Sequence, residues 1–395
     1  MLYDVVVAGL GPAGATAAYE CARRGLRVLA LDKALMPRHK PCGGAISSRI
    51  DAVLGDGFHE VVEGRIREAM VSFQGRDSFR VSSPETVAYL VRRERFDLYL
   101  CERARRGGAE ILFGEKVTGF ERLRDRILVR TTGSCYEGKW LVGADGAYGV
   151  VGKQLGLWPP HKPWVALEGE IDFAGAMPGI GAGEIWIDFG TAPFGYGWAF
   201  PKRQHLSLGV AGVGSKIKRI HHLYEQTLDH LFPGTGVNGG FTQGWILPLW
   251  CSSRRLILSK RVLLVGDAAS LVDPFLGEGI YWGIRSGQVA AECLYDFLAT
   301  GEERAVAYDR RISREFYPEF KAARRIAEVL YGFPQLVFEK IKQRPHVFQE
   351  YFQVLRGEKT CQDWWSSLRS SVFRSLSSAL RLPGSFHGLG GRKAG

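Results

Sequence analysis

The sequence predicts an α/β protein whose second domain is α+β: a Rossmann-like nucleotide domain, an inserted antiparallel-sheet domain and a helical C-terminal region. Three observations predict it. An apolar run, Val5 to Ala8, leads straight into Gly9-x-Gly11-x-x-Gly14 and a small-residue helix from Ala13 to Arg24. A second apolar strand, Arg27 to Leu31, ends in Asp32. Between Trp158 and about Trp250 the texture changes to alternating strands rich in aromatics and glycines, as in an antiparallel sheet.

Each element follows in order. Gly9 permits a tight turn, Gly11 lets backbone approach a pyrophosphate, and Gly14 lets helix and strand pack closely. The helix N-terminus then supplies N–H donors and a positive dipole end. Asp32 stands where a carboxylate can grip a ribose hydroxyl. The next stretch holds Lys40-Pro41-Cys42-Gly43-Gly44-Ala45, whose paired glycines imply close backbone approach to something flat or bulky. Gly64 to Val81 reads as two strands that leave the nucleotide unit, and Val87 to Leu100 returns to it, carrying Arg93 and Asp97. A strand at Glu110–Phe113, a hairpin from Val117 to Thr131 and the strand Trp140–Gly143 follow, the last ending in an acidic turn at Asp145. A helix from Ile217 to Phe232 belongs to the insertion. The chain re-enters the nucleotide domain at Arg261–Ala269, which contains Asp267. The loop Asp273-Pro274-Phe275-Leu276-Gly277-Glu278-Gly279 opens a long helix from Ile280 to about Leu298. The domains are therefore 1–63, 86–157 and 251–330 for nucleotide binding, 64–85 and 158–250 for substrate, and 331–395 for the helical end.

Composition fits this architecture. The chain has 395 residues, 46% hydrophobic and 24% charged, a folded globular balance and not a disordered one. Its longest uncharged run, Pro233 to Ser253, is broken by Gly234, Gly236, Gly239, Gly240, Gly244 and Pro248, so it is no membrane-spanning helix. Seven cysteines without a Cys-x-x-Cys pair point to reduced thiols in a cytoplasmic setting and away from zinc. The net charge is +11, and residues 301–395 hold 17 Lys and Arg against 10 Asp and Glu. That excess suits an anionic surface. With no nucleic-acid module in the chain, the expectation is a peripheral position at the inner face of a membrane. Trp365, Leu368, Val372, Leu376 and Ala379 recur at helical spacing with Arg369, Arg374 and Arg381 between them. This stretch reads equally as an interfacial helix or as a cap on the core.

Together, Gly9–Gly14, Arg93-x-x-Phe96-Asp97, Gly143-Ala144-Asp145-Gly146 and Gly266-Asp267-Ala268-Ala269 resemble the FAD-dependent oxidoreductases of the aromatic-hydroxylase fold group. Within that group the chain is similar to the geranylgeranyl reductase family. Lys40-Pro41-Cys42-Gly43-Gly44 matches the family's Cys-Gly loop, Tyr196-Gly197-Trp198-Ala199-Phe200-Pro201 its Tyr-x-Trp-x-Phe-Pro strand, and Gly277-Glu278-Gly279-Ile280-Tyr281 its helix-opening loop. Val354–Lys359 is similar to its C-terminal region. Two departures stand out. Asp32 replaces the commoner Glu, and Gly209-Val210-Ala211 replaces a Gly-x-Gly, which recurs only at Gly212-Val213-Gly214.

The resemblance implies FAD contacts from Gly9, Gly11, Pro12, Ala13 and Gly14, and from Asp32 and Lys33. It also implies contacts from Cys42, Gly43, Gly44 and Ala45, from Arg93, Val117 and Asp145, and from Asp267, Pro274, Gly277, Gly279 and Ile280. For Arg93 the plainer reading is a solvated surface side chain, and for Asp145 a structural turn. Tyr196, Trp198 and Phe200 fall at period two and face one side of a strand, which with Pro201 makes a wall suited to a long apolar substrate. Reducing an isolated alkene needs a hydride at one carbon and a proton at the other; Cys42 is the candidate proton donor. The expected activity is saturation of double bonds in a prenyl chain of an isoprenoid lipid, quinone or chlorophyll-type alcohol. No second Gly-rich unit is evident, so the expected electron donor is NAD(P)H bound transiently or a ferredoxin, the latter a protein partner. Two alternatives stay open: a flavin-dependent aromatic monooxygenase of the same fold, and a non-catalytic lipid binder that keeps FAD as a structural element.

Overall fold

A computed structural model describes residues 1–157, 163–172, 179–234, 239–251, 261–300 and 305–370. The Val5–Ala8 run lies within a strand, Leu2–Ala8, at the centre of a seven-stranded sheet. The order is Glu110–Phe113, Val28–Asp32, Leu2–Ala8, Cys135–Gly143, Ile127–Thr131, Val117–Arg122, with Val262–Leu264 also pairing with Cys135–Gly143. Pairing is parallel in the centre and antiparallel through the Val117–Thr131 hairpin. Val5, Val6, Val7 and Ala8 have no exposed surface, as a strand covered on both faces requires.

Two helices cover one face, Pro12–Ala22 and Ile280–Thr300, and they approach closely because small residues meet. A Cβ on Gly14 would overlap the Gly9 carbonyl oxygen and lie 2.9 Å from the Ala144 side chain. One on Gly287 would lie 2.5 Å from the Ala13 carbonyl oxygen. Gly9 itself sits at φ +100°, a conformation that glycine adopts without strain.

The inserted region forms a second seven-stranded sheet, ordered Thr242–Leu247, Trp164–Asp172, His205–Val213, Gly195–Pro201, Glu184–Phe189, Glu68–Phe73, Asp77–Ser82. It is antiparallel except where Glu184–Phe189 runs parallel to Glu68–Phe73. A third sheet of three strands, Ala45–Ser47, Ala88–Val91 and Val62–Ile66, lies outside the sequence expectation. The stretch expected to leave the nucleotide unit as two strands holds three, and the first, Val62–Ile66, spans the expected boundary at residue 64. Short strands of three to five residues carry too few alternations for their sheet partner to be read from pattern.

The second sheet is covered on both sides. Helix Ile220–Leu231, which starts three residues later and ends one earlier than expected, packs against one face through Tyr224. The other face meets helices Tyr317–Gly332, Pro334–Lys342, Pro345–Leu355 and Cys361–Leu368, with Ile187, Phe189 and Tyr196 in one cluster with Tyr331, Phe338, Phe348 and Trp364. Trp364 has no exposed surface and donates from Nε1 to the Val347 carbonyl at 2.7 Å. The amphipathic stretch thus begins as a cap on the core. Val372, Arg374, Leu376, Ala379 and Arg381 lie outside the described residues.

Among the described residues no helix is long and apolar enough to cross a membrane. The central contact yields a prediction: Gly14→Ala lowers unfolding stability by about 3 kcal/mol, the upper part of the range for overpacking, measured by urea titration.

Candidate functional site

One cavity joins the nucleotide sheet to the second sheet. Its volume is about 240 Å³. Its first wall comes from loops at the ends of the parallel strands, where nucleotides bind in open α/β sheets. Gly11, Pro12 and Ala13 border it. Gly11 caps the first helix without a side-chain partner for the helical N–H groups, and a Cβ there would meet nothing nearer than Arg38 Nη2 at 3.9 Å. That leaves open backbone donors and room for an anionic group. Asp267, Gly277, Gly279 and Ile280 border the same space. Ile280 begins the long helix, whose N-terminus therefore points in.

The Cys42 loop forms a second wall. Cys42, Gly43, Gly44 and Ala45 all border the cavity. The glycines have steric reasons. A Cβ on Gly43 would lie 2.8 Å from the Phe200 ring, and one on Gly44, at φ +74°, would overlap the Val91 carbonyl. The Gly44 N–H donates to Cys42 Sγ at 3.4 Å. Arg93 is buried, not solvated as its plainer reading had it. Its Nε and Nη2 donate to the two Asp97 carboxylate oxygens at 2.9 Å each. Arg38 joins Asp97 at 3.1 Å. Asp97 holds the Arg93 guanidinium firmly charged against the cost of burial, and the nearby Cys42 side chain adds to that effect.

Tyr196, Trp198 and Phe200 form the third wall, side by side at 5.9 and 6.2 Å between ring centroids. Their polar handles are tied away. Tyr196 Oη donates to the Leu276 carbonyl at 2.6 Å, and Trp198 Nε1 donates to Ser207 Oγ at 3.3 Å. Gly209 pairs with Trp198 across the strands, and any side chain there would overlap the indole. Ala211, where the family pattern has its second glycine, pairs with Tyr196 and borders the cavity. Ile185, Ile187 and Ala69, with Phe348, Tyr351, Phe352 and Leu355 from helix Pro345–Leu355, complete an apolar end.

Other expected residues lie elsewhere. Gly9 and Gly14 serve backbone packing. Asp32 accepts the Leu10 N–H at 2.7 Å and the Ala34 N–H at 2.9 Å and does not border the cavity, so its carboxylate braces the Gly-rich turn. Lys33 is exposed, and Val117 is buried in the core. Asp145 Oδ2 accepts the Val151 N–H at 2.9 Å, and burial raises the Asp145 pKa. Pro274 is buried beneath the loop, and Pro201 is half-buried at its strand end.

Four functional candidates escaped sequence reasoning. Lys40 borders the cavity, 3.9 Å from Asp267 and 5.1 Å from the Trp245 ring centre, with its pKa lowered by burial. Trp245 borders it too, its Nε1 buried without a partner among the described residues. Glu168 borders it at 4% exposure, and burial raises its pKa despite Lys202 nearby. Asp273 starts the loop that opens the long helix, accepting the Phe275 and Leu276 N–H groups at 2.8 and 2.9 Å. Alternation along Glu168, Glu170 and Asp172 reads as a solvated strand face, so no sequence signal marked Glu168. Lys40 lay in a motif already singled out.

These walls fit a flavin dinucleotide: helix N-termini open toward the space, and at Gly11 a backbone that no side chain crowds. Comparison with known proteins agrees. A family model described as an FAD binding domain matches residues 2–312. Digeranylgeranylglycerophospholipid reductase 1 of Methanopyrus kandleri is 30% identical, covering 92% of this chain and 100% of the relative. Geranylgeranyl diphosphate reductase of Rhodobacter capsulatus is 32% identical, covering 84% and 85%. The crystal structure of a geranylgeranyl bacteriochlorophyll reductase-like protein of Thermoplasma acidophilum superposes with a TM-score of 0.77 at 19% identity, covering 96% of this chain and 98% of the other.

Asp273 supplies a pH prediction. Burial raises its pKa from the ordinary 3.8 to about 6. Between these values the unfolded carboxyl ionises while the folded one keeps its proton, so stability falls as pH rises and the loss is complete above about pH 6. Asp273→Asn keeps the oxygen that both N–H groups need. Its stability gain over wild type is expected to be near zero at pH 4 and on the order of 3 kcal/mol at pH 7, measured by denaturant titration at each pH.

Proposed function

The chain belongs to the geranylgeranyl reductase family of FAD-dependent oxidoreductases, and from that premise we propose that it saturates carbon–carbon double bonds in the prenyl chain of an isoprenoid lipid, quinone or chlorophyll-type alcohol. One observation carries this reading: the Cys42 loop and the aromatic wall face the same cavity, whose far end is apolar. An unactivated prenyl chain offers no hydrogen-bonding group. Burial, at roughly 25 cal/mol per Å² of apolar surface, is what can hold it.

FAD, when bound, supplies the hydride. Residues Gly11–Ala13, Asp267 and Gly277–Ile280 would hold it. The chain's own residues do the rest. The wall of Tyr196, Trp198 and Phe200 orients the alkene and excludes water. Cys42 gives up its thiol proton to the second alkene carbon. Arg93 and the Gly44 N–H then face the sulfur as it becomes a thiolate, so the charge that develops there meets donors already in place. In the same reading, the basic C-terminal quarter holds the enzyme peripherally at a membrane surface, where prenylated lipids reside.

Cys42→Ala is expected to retain FAD, with an unchanged flavin spectrum and unchanged bleaching by dithionite. It is expected to lose prenyl reduction by about 100-fold, the low end for a general acid. Mass spectrometry of prenylated lipids, reading losses of double bonds as steps of two hydrogens, checks it; full turnover by the variant would refute the assignment.

A further inference from the structure

We propose that Glu168 recharges Cys42: held behind the Cys42 loop, its carboxyl returns a proton to the thiolate left when Cys42 has protonated the alkene. This rests on the reading of Cys42 as proton donor.

The geometry starts with the carboxyl's two partners. Glu168 Oε2 accepts the Cys42 backbone N–H at 2.9 Å, and Oε1 accepts Ser207 Oγ–H at 2.8 Å. Ser207 Oγ in turn accepts the Trp198 indole N–H. The acid is thus wired to the loop bearing Cys42 and to the aromatic wall at once. Structure alone does not require an acid. A glutamine would accept the Cys42 N–H and donate to Ser207 with no charge to bury, whereas an ionisable group in this wall costs several kcal/mol when charged. What a carboxyl adds is a proton.

The surroundings suit an acid that cycles between its two forms. Burial favours the protonated form, while Lys202, its side chain 1% exposed, favours the ionised one. The other charged or titratable groups near Glu168 are Glu170 on the same strand, Tyr224 on the covering helix and Cys42, with Arg93 beyond it. Burial pushes Glu170 up, but Lys202 and Arg92 outweigh it, and Glu170 is held below the usual carboxylate range. Lys202 lies 3.4 Å from Glu170, and Glu170 lies 3.8 Å from Arg92, whose side chain is 33% exposed. A charged seam therefore leads from Glu168 to solvent on the side away from the cavity. A prenyl chain filling the cavity closes the direct route, and the seam remains.

The step balances. A hydride and a proton add across the double bond; the Cys42 S–H breaks and a C–H forms. The Glu168 O–H then breaks and the S–H re-forms. The carboxylate left beside Lys202 takes one proton from solvent. Each reduced bond consumes one hydride and one solvent proton.

Two measurements on FAD-loaded protein test it. The first is the rate of Cys42 alkylation by iodoacetamide against pH, resolved by peptide mass spectrometry. Wild type should show two titration steps, because the thiol and the carboxyl couple, and Glu168→Gln one. The second compares single with multiple turnover on a prenylated lipid. Glu168→Gln should reduce the first bond within about twofold of wild type, since the first proton comes from Cys42 itself. It should then slow in steady state by about 100-fold. One alkylation step in wild type, or an equal slowing of the first and later turnovers, would overturn the relay. If Glu168→Gln fails to retain FAD, Ser207→Ala serves instead. Removing a donor to the carboxylate must move the second alkylation step to higher pH, and an unmoved step overturns the proposal. If wild type reduces no prenyl chain, the functional reading falls, while the alkylation profile still decides whether Glu168 and Cys42 share a titration.

Discussion

The structure depends on backbone passing backbone with no side chain between. At Gly9, Gly14 and Gly287 the first strand, the first helix and the long helix come closer than any Cβ allows. Their contact fixes where the Pro12–Ala22 helix starts and so where its free N–H groups point. The same crossing brings Gly266 and Gly283 against Ala13, which sets Asp267 and the Gly277–Ile280 loop opposite that helix start. The nucleotide end of the cavity is thus a by-product of close packing, and it needs no dedicated scaffold of its own.

The second sheet solves a different problem, keeping an aromatic surface dry and smooth. Tyr196 and Trp198 carry polar atoms, and each has a hydrogen-bond partner within the protein, the Leu276 carbonyl for one and Ser207 for the other. Gly43 and Gly209 leave space on either side of Trp198 and Phe200. The departure at Ala211 is accommodated because its partner is Tyr196 and not the larger indole of Trp198.

Much of this was legible in the sequence because it rests on local geometry. A glycine triplet between strand and helix, period-two aromatics and a helix-opening Gly-Glu-Gly each imply a shape from spacing alone. Glu168 was not legible: its strand alternates like a solvated face, and only the Cys42 loop, 126 positions away in sequence, makes it an inner residue. Asp32 and Asp145 show the converse. Their motifs named them, yet the structure commits both Asp32 oxygens and Asp145 Oδ2 to backbone N–H groups. A motif fixes where a carboxylate stands but leaves open which donor reaches it first. The three-stranded sheet was missed because strands so short carry no periodicity.

The far end of the cavity takes four side chains from one helix, Pro345–Leu355: Phe348, Tyr351, Phe352 and Leu355. None of these residues takes part in the redox end. Their bulk therefore acts as a ruler: it sets how long an apolar group that end can take. Drift in four side chains on one helix can lengthen or shorten that space while the other walls stay as they are. Enzymes of one lineage can in this way diverge across lipids of unequal reach.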